Sequence, residues 1–196
     1  MELSARETPL DMGGVLAHLQ ETLPDNAILT NGAGNFAIWH NKFFRYGAEA
    51  RLLAPQSGAM GYGLPAAIAA KAECPERMVV CVAGDGDFQM NMQALGTAMQ
   101  AGAQPIVIVV NNGVYGTIRM HQERDYPGRQ SFTAIQNPDF CAIAKAYGFH
   151  AETVTKTAAF PEAFTRAAAS TTGALIELIV DPEFITPKAT LSQIRG

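Results

Sequence analysis

Two residues with metal-binding chemistry stand where apolar runs end. Asp85 lies in Gly84-Asp85-Gly86-Asp87-Phe88, directly after the run 78–83, and Asn112 lies in Asn111-Asn112-Gly113, directly after the run 106–110. A carboxylate and a side-chain amide oxygen are both hard donors. Supplied this sparingly, they suit Mg²⁺, which keeps several positions for water and phosphate. Each motif also has a plainer reading. Asp between glycines fits a tight turn, and Asn-Gly signals a hairpin. No apolar strand follows Gly113, however, and 117–121 reads as helical or irregular.

Two further loops carry glycines in suggestive places. Gly32-Ala33-Gly34-Asn35-Phe36-Ala37 follows the run 27–30 and fits G-x-G-x-x-A, the dinucleotide fingerprint. That fingerprint wants an acid about 20 positions on to hold a ribose. The sequence there is Leu53-Ala54-Pro55-Gln56-Ser57. The alternative is a glycine turn that opens a helix, whose free N–H groups can bind an anion. In Gln56-Ser57-Gly58-Ala59-Met60-Gly61-Tyr62-Gly63-Leu64-Pro65, three glycines fall within six positions. They imply close backbone approach or left-handed dihedrals. Met60 by itself fits a gap in the core.

These loops must be positioned by the elements between them. Runs at 27–30, 78–83, 106–110 and 175–180 read as strands, with shorter candidates at 51–53 and 152–154. The second and third runs are almost continuously apolar, as strands covered on both faces are. Helices are expected at 12–22, 35–44, 62–72, 90–101, 138–147 and 160–170. Strand–helix alternation with short connections implies right-handed βαβ units. The expected fold is α/β: a three-layer αβα sandwich on a mostly parallel sheet, with its site beyond the carboxyl ends of the strands.

Composition narrows the function. The chain has 196 residues, 48% hydrophobic and 16% charged, with 14 Lys and Arg against 18 Asp and Glu and a net charge of −4. One domain spanning 1–196, with its core at about 12–182, accounts for that length. Without a basic stripe, no nucleic-acid surface is expected. Cys74, Cys81 and Cys141 show no CxxC spacing, which argues against a disulfide framework or a cysteine zinc site. Residues 1–7 contain no apolar leader core, and no run approaches the roughly 20 residues of a membrane span, so a soluble cytoplasmic chain is expected.

Gly84-Asp85-Gly86 followed, after a helix and a strand, by Asn111-Asn112 resembles the diphosphate-binding (PP) domain of thiamine diphosphate (ThDP) enzymes. Gly84-Asp85-Gly86-Asp87-Phe88-Gln89-Met90-Asn91-Met92-Gln93 and Gly58-Ala59-Met60-Gly61-Tyr62-Gly63-Leu64-Pro65 are similar to the acetolactate synthase branch. The resemblance covers about 12–180 and implies a ThDP-binding fold.

It also implies roles. Asp85, the Asn112 side chain and the Val114 carbonyl would ligate Mg²⁺, with two diphosphate oxygens and a water. Backbone N–H groups of Gly86 and Asp87, of the Tyr115-Gly116-Thr117 turn and of the Gly34-Asn35-Phe36 turn would bind phosphate. The Gly58 carbonyl, next to Ala59, would accept from the aminopyrimidine amine, and Met60 would hold the two cofactor rings bent. Three departures stand out. The turn at Phe36 often carries a His in acetolactate synthases, so a side-chain phosphate contact is missing. Asp87 occupies a position that is small or hydroxylated in the family, so it must turn away or cap the following helix. His121 stands where a Trp commonly lines the substrate channel.

The glutamate that activates the cofactor belongs to a separate pyrimidine-binding domain, so no catalytic residue is assigned within this chain. That domain, in the same enzyme or a partner subunit, is the expected partner, in a homodimer or homotetramer acting on 2-oxo acids by decarboxylation and carboligation. The alternatives are a 2-oxo acid decarboxylase, a C–C lyase, a hydrolase, a dinucleotide-binding module on Gly32-Ala33-Gly34, or a non-catalytic assembly domain. Among other residues, His18 and His40 are expected to be packed or on the surface, His150 to face solvent, Arg119 and Arg124 to lie on a solvated helix, with a contact to a substrate carboxylate as the alternative, and Trp39 and Cys81 to lie in the core.

Overall fold

The structure is a computed structural model that describes residues 8–196, so the reading of residues 1–7 lies outside the described residues. Six strands form one sheet: β1 (Ile28–Asn31), β2 (Arg51–Leu53), β3 (Val79–Gly84), β4 (Ile106–Asn111), β5 (His150–Val154) and β6 (Ala174–Ile179). Their order is β2-β1-β3-β4-β6-β5, and every neighbouring pair is parallel.

A strand's side chains alternate between faces, and the core divides accordingly. Val79, Cys81 and Ala83 of β3 pack with Leu64, Ala67 and Ile68 of α3 (Gly63–Glu73), with Leu95 and Ala98 of α5 (Ala94–Ala101), and with Phe140 and Ala144 of α7 (Phe140–Ala146). Val80 and Val82 belong to the other cluster, with Val15 and Leu19 of α1 (Met12–Thr22) and Phe160 and Phe164 of α8 (Phe160–Ala169). Three layers result, as expected, because both faces of β3 and β4 are apolar and both must be covered.

Local chemistry sets the helix ends. Asp11 caps α1 by accepting from the Gly13 N–H at 3.1 Å, and Asp139 caps α7 by accepting from the Ala142 N–H at 2.8 Å. Gly102 closes α5 in the left-handed conformation, φ +63°.

Four features depart from expectation. The helix expected at 90–101 is split into α4 (Asp85–Gln89), which starts directly off β3, and α5. Phe88 anchors α4 by packing edge-on against Phe140, ring centroids 5.5 Å apart. After β4 the chain does return, though not as a tight hairpin. Val114 forms a single antiparallel bridge with Ala134, beyond α6 (Gly116–Asp125). A terminal helix, α9 (Leu191–Arg195), packs on α6 and buries Leu191. The helix between β1 and β2, α2 (Ala37–Phe43), begins two residues later than expected.

From β1 the chain crosses to β2 on one side, and from β3 it crosses to β4 on the other. The crevice between β1 and β3 is therefore a topological switch point, where ligands bind in such sheets.

Candidate functional site

Asp85 sits at the point where β3 turns into α4, and it is only 3% exposed. Its Oδ1 accepts from the Gly86 N–H at 2.8 Å. Its Oδ2 accepts from the Gly113 N–H at 2.8 Å and from Asn137 Nδ2 at 2.7 Å. Burial pushes this carboxyl above the usual range, while the bonds from Asn137, Gly86 and Gly113 oppose the shift. A carboxylate offers about four lone-pair directions. Three are used, and the remaining one is on Oδ1.

Asn112 extends from the neighbouring strand end. Its Oδ1 accepts from the Val114 N–H at 3.1 Å. The bonds that flank the Val114–Ala134 bridge run from the Tyr115 N–H to the Thr133 carbonyl and from the Ile135 N–H to the Gly113 carbonyl. In this antiparallel pattern the middle residue directs its own N–H and C=O away from the partner segment. The Val114 carbonyl is thus left out of the pairing. At the start of α6, Tyr115 makes no side-chain cap. The first-turn N–H groups of Gly116, Thr117 and Ile118 have no intrahelical acceptor and carry the positive end of the helix dipole.

Asp87 resolves its own anomaly. It turns toward the loops after β1 and β2, and its Oδ1 accepts from the Ala33 N–H at 3.2 Å and the Gly61 N–H at 2.7 Å. One carboxylate so ties the loops after β1 and β2 to the start of α4. Burial pushes its pKa up to about 6. A Cβ at Gly32 would lie 1.8 Å from Asp87 Oδ1. The G-x-G turn therefore makes room for an internal carboxylate, which removes the support for a dinucleotide module. Thr117 Oγ1 donates to Asn35 Oδ1 at 2.9 Å, joining α6 to the turn after β1.

These loops enclose a cleft of about 280 Å³. Gly34, Asn35, Phe36, Gly58, Met60, Gly84, Asp85, Gly86, Asp87, Asn112, Val114, Tyr115, Gly116 and Thr117 all line it. Ala59 does not; it is exposed. Met60, 36% exposed, stands in the cleft rather than in either core cluster. Sequence reasoning missed Leu10, Trp39, Ile118, Phe184 and Ile185, which give the cleft an apolar wall. Phe184 and Ile185 follow β6, another strand end, and that was the available signal. A Cβ at Gly116 would lie 2.7 Å from Ile185 Cδ1, so the segment after β6 rests on the start of α6.

The donor set fits a small, hard cation that is shared with a bound anion. Among the described residues no group of three His, Cys, Asp or Glu could hold a metal. A cation here would meet one carboxylate, one amide oxygen and one carbonyl, and would take its remaining ligands from phosphate and water, as Mg²⁺ does. Gly86 differs from expectation in one respect: its N–H already donates to Asp85.

The other residues divide. Trp39 and Cys81 are buried, and burial pushes the Cys81 thiol up to about 12. His18 packs edge-on against Phe160 and Phe164, and burial lowers the pKa of His40 to about 4. His150 does not face solvent freely; it opens β5, half-buried, with a ring nitrogen 2.9 Å from Glu152. Arg119 is not solvated either, since its Nε donates to the buried Glu123 at 2.9 Å. Arg124 is exposed and paired with Asp125, and His121 is exposed outside the cleft lining. Among the described residues no helix is long and apolar enough to cross a membrane.

Comparison with known proteins agrees with this geometry. Residues 32–178 match the C-terminal TPP binding domain of thiamine pyrophosphate enzymes. An acetolactate synthase of Arthrospira platensis is 39% identical over 138 residues, 69% of this chain and 24% of that protein. The acetolactate synthase isozyme 2 large subunit of Escherichia coli is 31% identical over 144 residues, 72% of this chain and 26% of that protein. Among solved structures, the thiamine diphosphate-dependent 4-hydroxybenzoylformate decarboxylase of Rhodococcus jostii RHA1 superposes with a TM-score of 0.83 at 28% identity, covering 92% of this chain and 34% of that one. The chain thus spans about a quarter to a third of the length of these proteins. With the strand-end Asp and Asn motifs, the parallel sheet and these matches in agreement, the chain belongs to the thiamine pyrophosphate enzymes and carries their C-terminal TPP-binding domain.

Proposed function

We propose that this chain is the diphosphate- and Mg²⁺-binding part of an acetolactate synthase-like enzyme that decarboxylates and ligates 2-oxo acids of the pyruvate type. The observation that carries the reading is the pairing of Asp85 and Asn112 at the ends of adjacent parallel strands. They line one cleft, and the loop of Asn112 is tied to Asp85 through the Gly113 N–H.

In this reading Asp85, the Asn112 side chain and the Val114 carbonyl hold Mg²⁺. The uncapped first turn of α6 and the turn at Gly34, Asn35 and Phe36 bind the diphosphate through N–H groups, with a smaller share for Gly86 and Asp87. The Gly58 carbonyl accepts from the aminopyrimidine, and Met60 supports the bend between the rings. Phe184, Ile185 and Trp39 exclude water from the cleft. ThDP, when bound, supplies a carbon nucleophile and an electron sink for cleavage beside a carbonyl. The activating glutamate comes from a pyrimidine-binding domain of the same enzyme or of a partner subunit, in a homodimer or homotetramer of the cytoplasm. The 196-residue chain alone is therefore expected not to turn over pyruvate.

Calorimetry on the chain tests the cofactor. ThDP is expected to bind only with Mg²⁺, and Asp85→Ala to abolish the metal-dependent part without unfolding the protein. Tight NAD binding without a metal, or unchanged binding by Asp85→Ala, would reverse the assignment. Simple 2-oxo acid decarboxylation is the second reading, favoured by the solved-structure match to a decarboxylase. Product analysis on the full-length enzyme separates a ligated product from a released aldehyde.

A further inference from the structure

Behind the cleft, out of contact with it, a chain of side-chain amides runs between two carboxylates. Glu177 of β6 is 7% exposed. Its Oε1 accepts from Asn111 Nδ2 at 2.8 Å, and its Oε2 accepts from the Thr153 hydroxyl at 2.9 Å. Asn111 Oδ1 accepts from Asn137 Nδ2 at 2.8 Å and from the Gly113 N–H at 3.2 Å. The same Asn137 nitrogen donates to Asp85 Oδ2 at 2.7 Å, and Asn137 Oδ1 accepts from Gln89 Nε2 at 2.7 Å.

An ionised carboxylate only accepts. With acceptors at both ends, each amide between them can point only one way. Asn111 must turn its NH₂ to Glu177 and its oxygen to Asn137. Asn137 must then spend one hydrogen on Asn111 and the other on Asp85. Consecutive residues of an extended chain face opposite sides: Asn112 lines the cleft, whereas Asn111 and Asn137 do not.

We propose that Asn137 is a positioning residue for the cation ligand, resting on the reading of Asp85 given above. Its N–H, together with that of Gly113, saturates Asp85 Oδ2, stops the carboxylate from rotating and reserves Oδ1 for the ion. Gln89 holds Asn137 in register. Partners of this kind that orient a metal ligand change metal affinity about 10- to 100-fold when removed.

The test uses the chain with saturating ThDP and Mn²⁺ as the spectroscopic reporter, with free and bound ion separated by electron paramagnetic resonance. Asn137→Ala is expected to weaken Mn²⁺ binding about 10- to 100-fold, to alter the bound-ion line shape, and to leave the metal-free melting temperature within about 2 °C of wild type. Asn137→Asp, which sets an acid against Oδ2, is expected to be at least as weak. Should Asn137→Ala fail to fold, Gln89→Leu removes only the brace and is expected to give a several-fold loss. If Asp85→Ala abolishes Mn²⁺ uptake while Asn137→Ala stays within about twofold of wild type, the proposal is overturned and the cofactor assignment stands. Parallel loss of metal-free stability and affinity, or an unchanged Gln89→Leu beside an unfolded Asn137→Ala, also overturns it. No Mn²⁺ uptake by wild type with ThDP present would overturn the reading of Asp85 and Asn112 as a cation site and this proposal together.

Discussion

Replacing Glu123 with Gln isolates one buried charge that holds the end of the chain in place. Glu123 of α6 is 1% exposed. Its Oε2 accepts from Arg195 Nε at 2.7 Å, and its Oε1 accepts from Arg195 Nη2 at 3.0 Å and Arg119 Nε at 2.9 Å. The Arg195 guanidinium, and Arg119 after it, hold the Glu123 carboxyl down to about 2, against the desolvation that burial imposes. A carboxyl lowered in the folded state stabilises above its unfolded pKa, and that stability is lost as pH falls through the folded value. At ~1.4 kcal/mol per pKa unit, the difference from an ordinary 4.5 is worth roughly 3 kcal/mol at pH 7 and about 1.4 kcal/mol at pH 3. Arg195 is nearly half exposed, and screening reduces these upper values. The assay is urea unfolding of wild type and Glu123→Gln at pH 7 and pH 3. The wild-type advantage should shrink by about 1 to 2 kcal/mol at the lower pH. Equal advantages at both pH values would refute the reasoning. Because α9 rests on α6 and the segment before it lines the cleft, the variant should also expose 183–195 to protease.

Two other outcomes follow from the same structure. Gly32→Ala forces a methyl group into the Asp87 carboxylate and should cost about 1 to 3 kcal/mol. That penalty should fall in an Asp87→Ser background, and equal costs in both backgrounds would show that the contact does not matter. His40 is buried and its ring Nε2 has no hydrogen-bond partner among the described residues, with its pKa lowered by burial to about 4. Stability present above about 6.5 is therefore lost as pH falls through 4, by up to roughly 3 kcal/mol. His40→Leu should flatten urea-derived stability across that window, and an unchanged slope would refute the assignment.

Much of the architecture was legible in local pattern. The runs of β3 and β4 are almost wholly apolar because helices cover both faces, and such runs stand out in any sequence. Since ligands bind beyond the carboxyl ends of parallel strands, the residues after those runs were the ones to inspect, and Asp85 and Asn112 were found there. The Asn-Gly after β4 misled because its partner segment returns some twenty residues later, past a helix, as one bridge. Arg119 misled because the helix looks polar along its length, and only Arg195, distant in sequence, reveals that Glu123 is buried.

What the sequence alone determined is the order of the elements and the chemistry at their ends, since side-chain periodicity and turn residues act over a few positions. Tertiary structure alone decided which loops share a cleft, why Gly32 must lack a side chain, which way Asp87 turns, and that Asn137 reaches Asp85 from 52 positions away. Those contacts depend on how strands are ordered across the sheet, and residues that meet across a sheet leave no periodic trace along the chain.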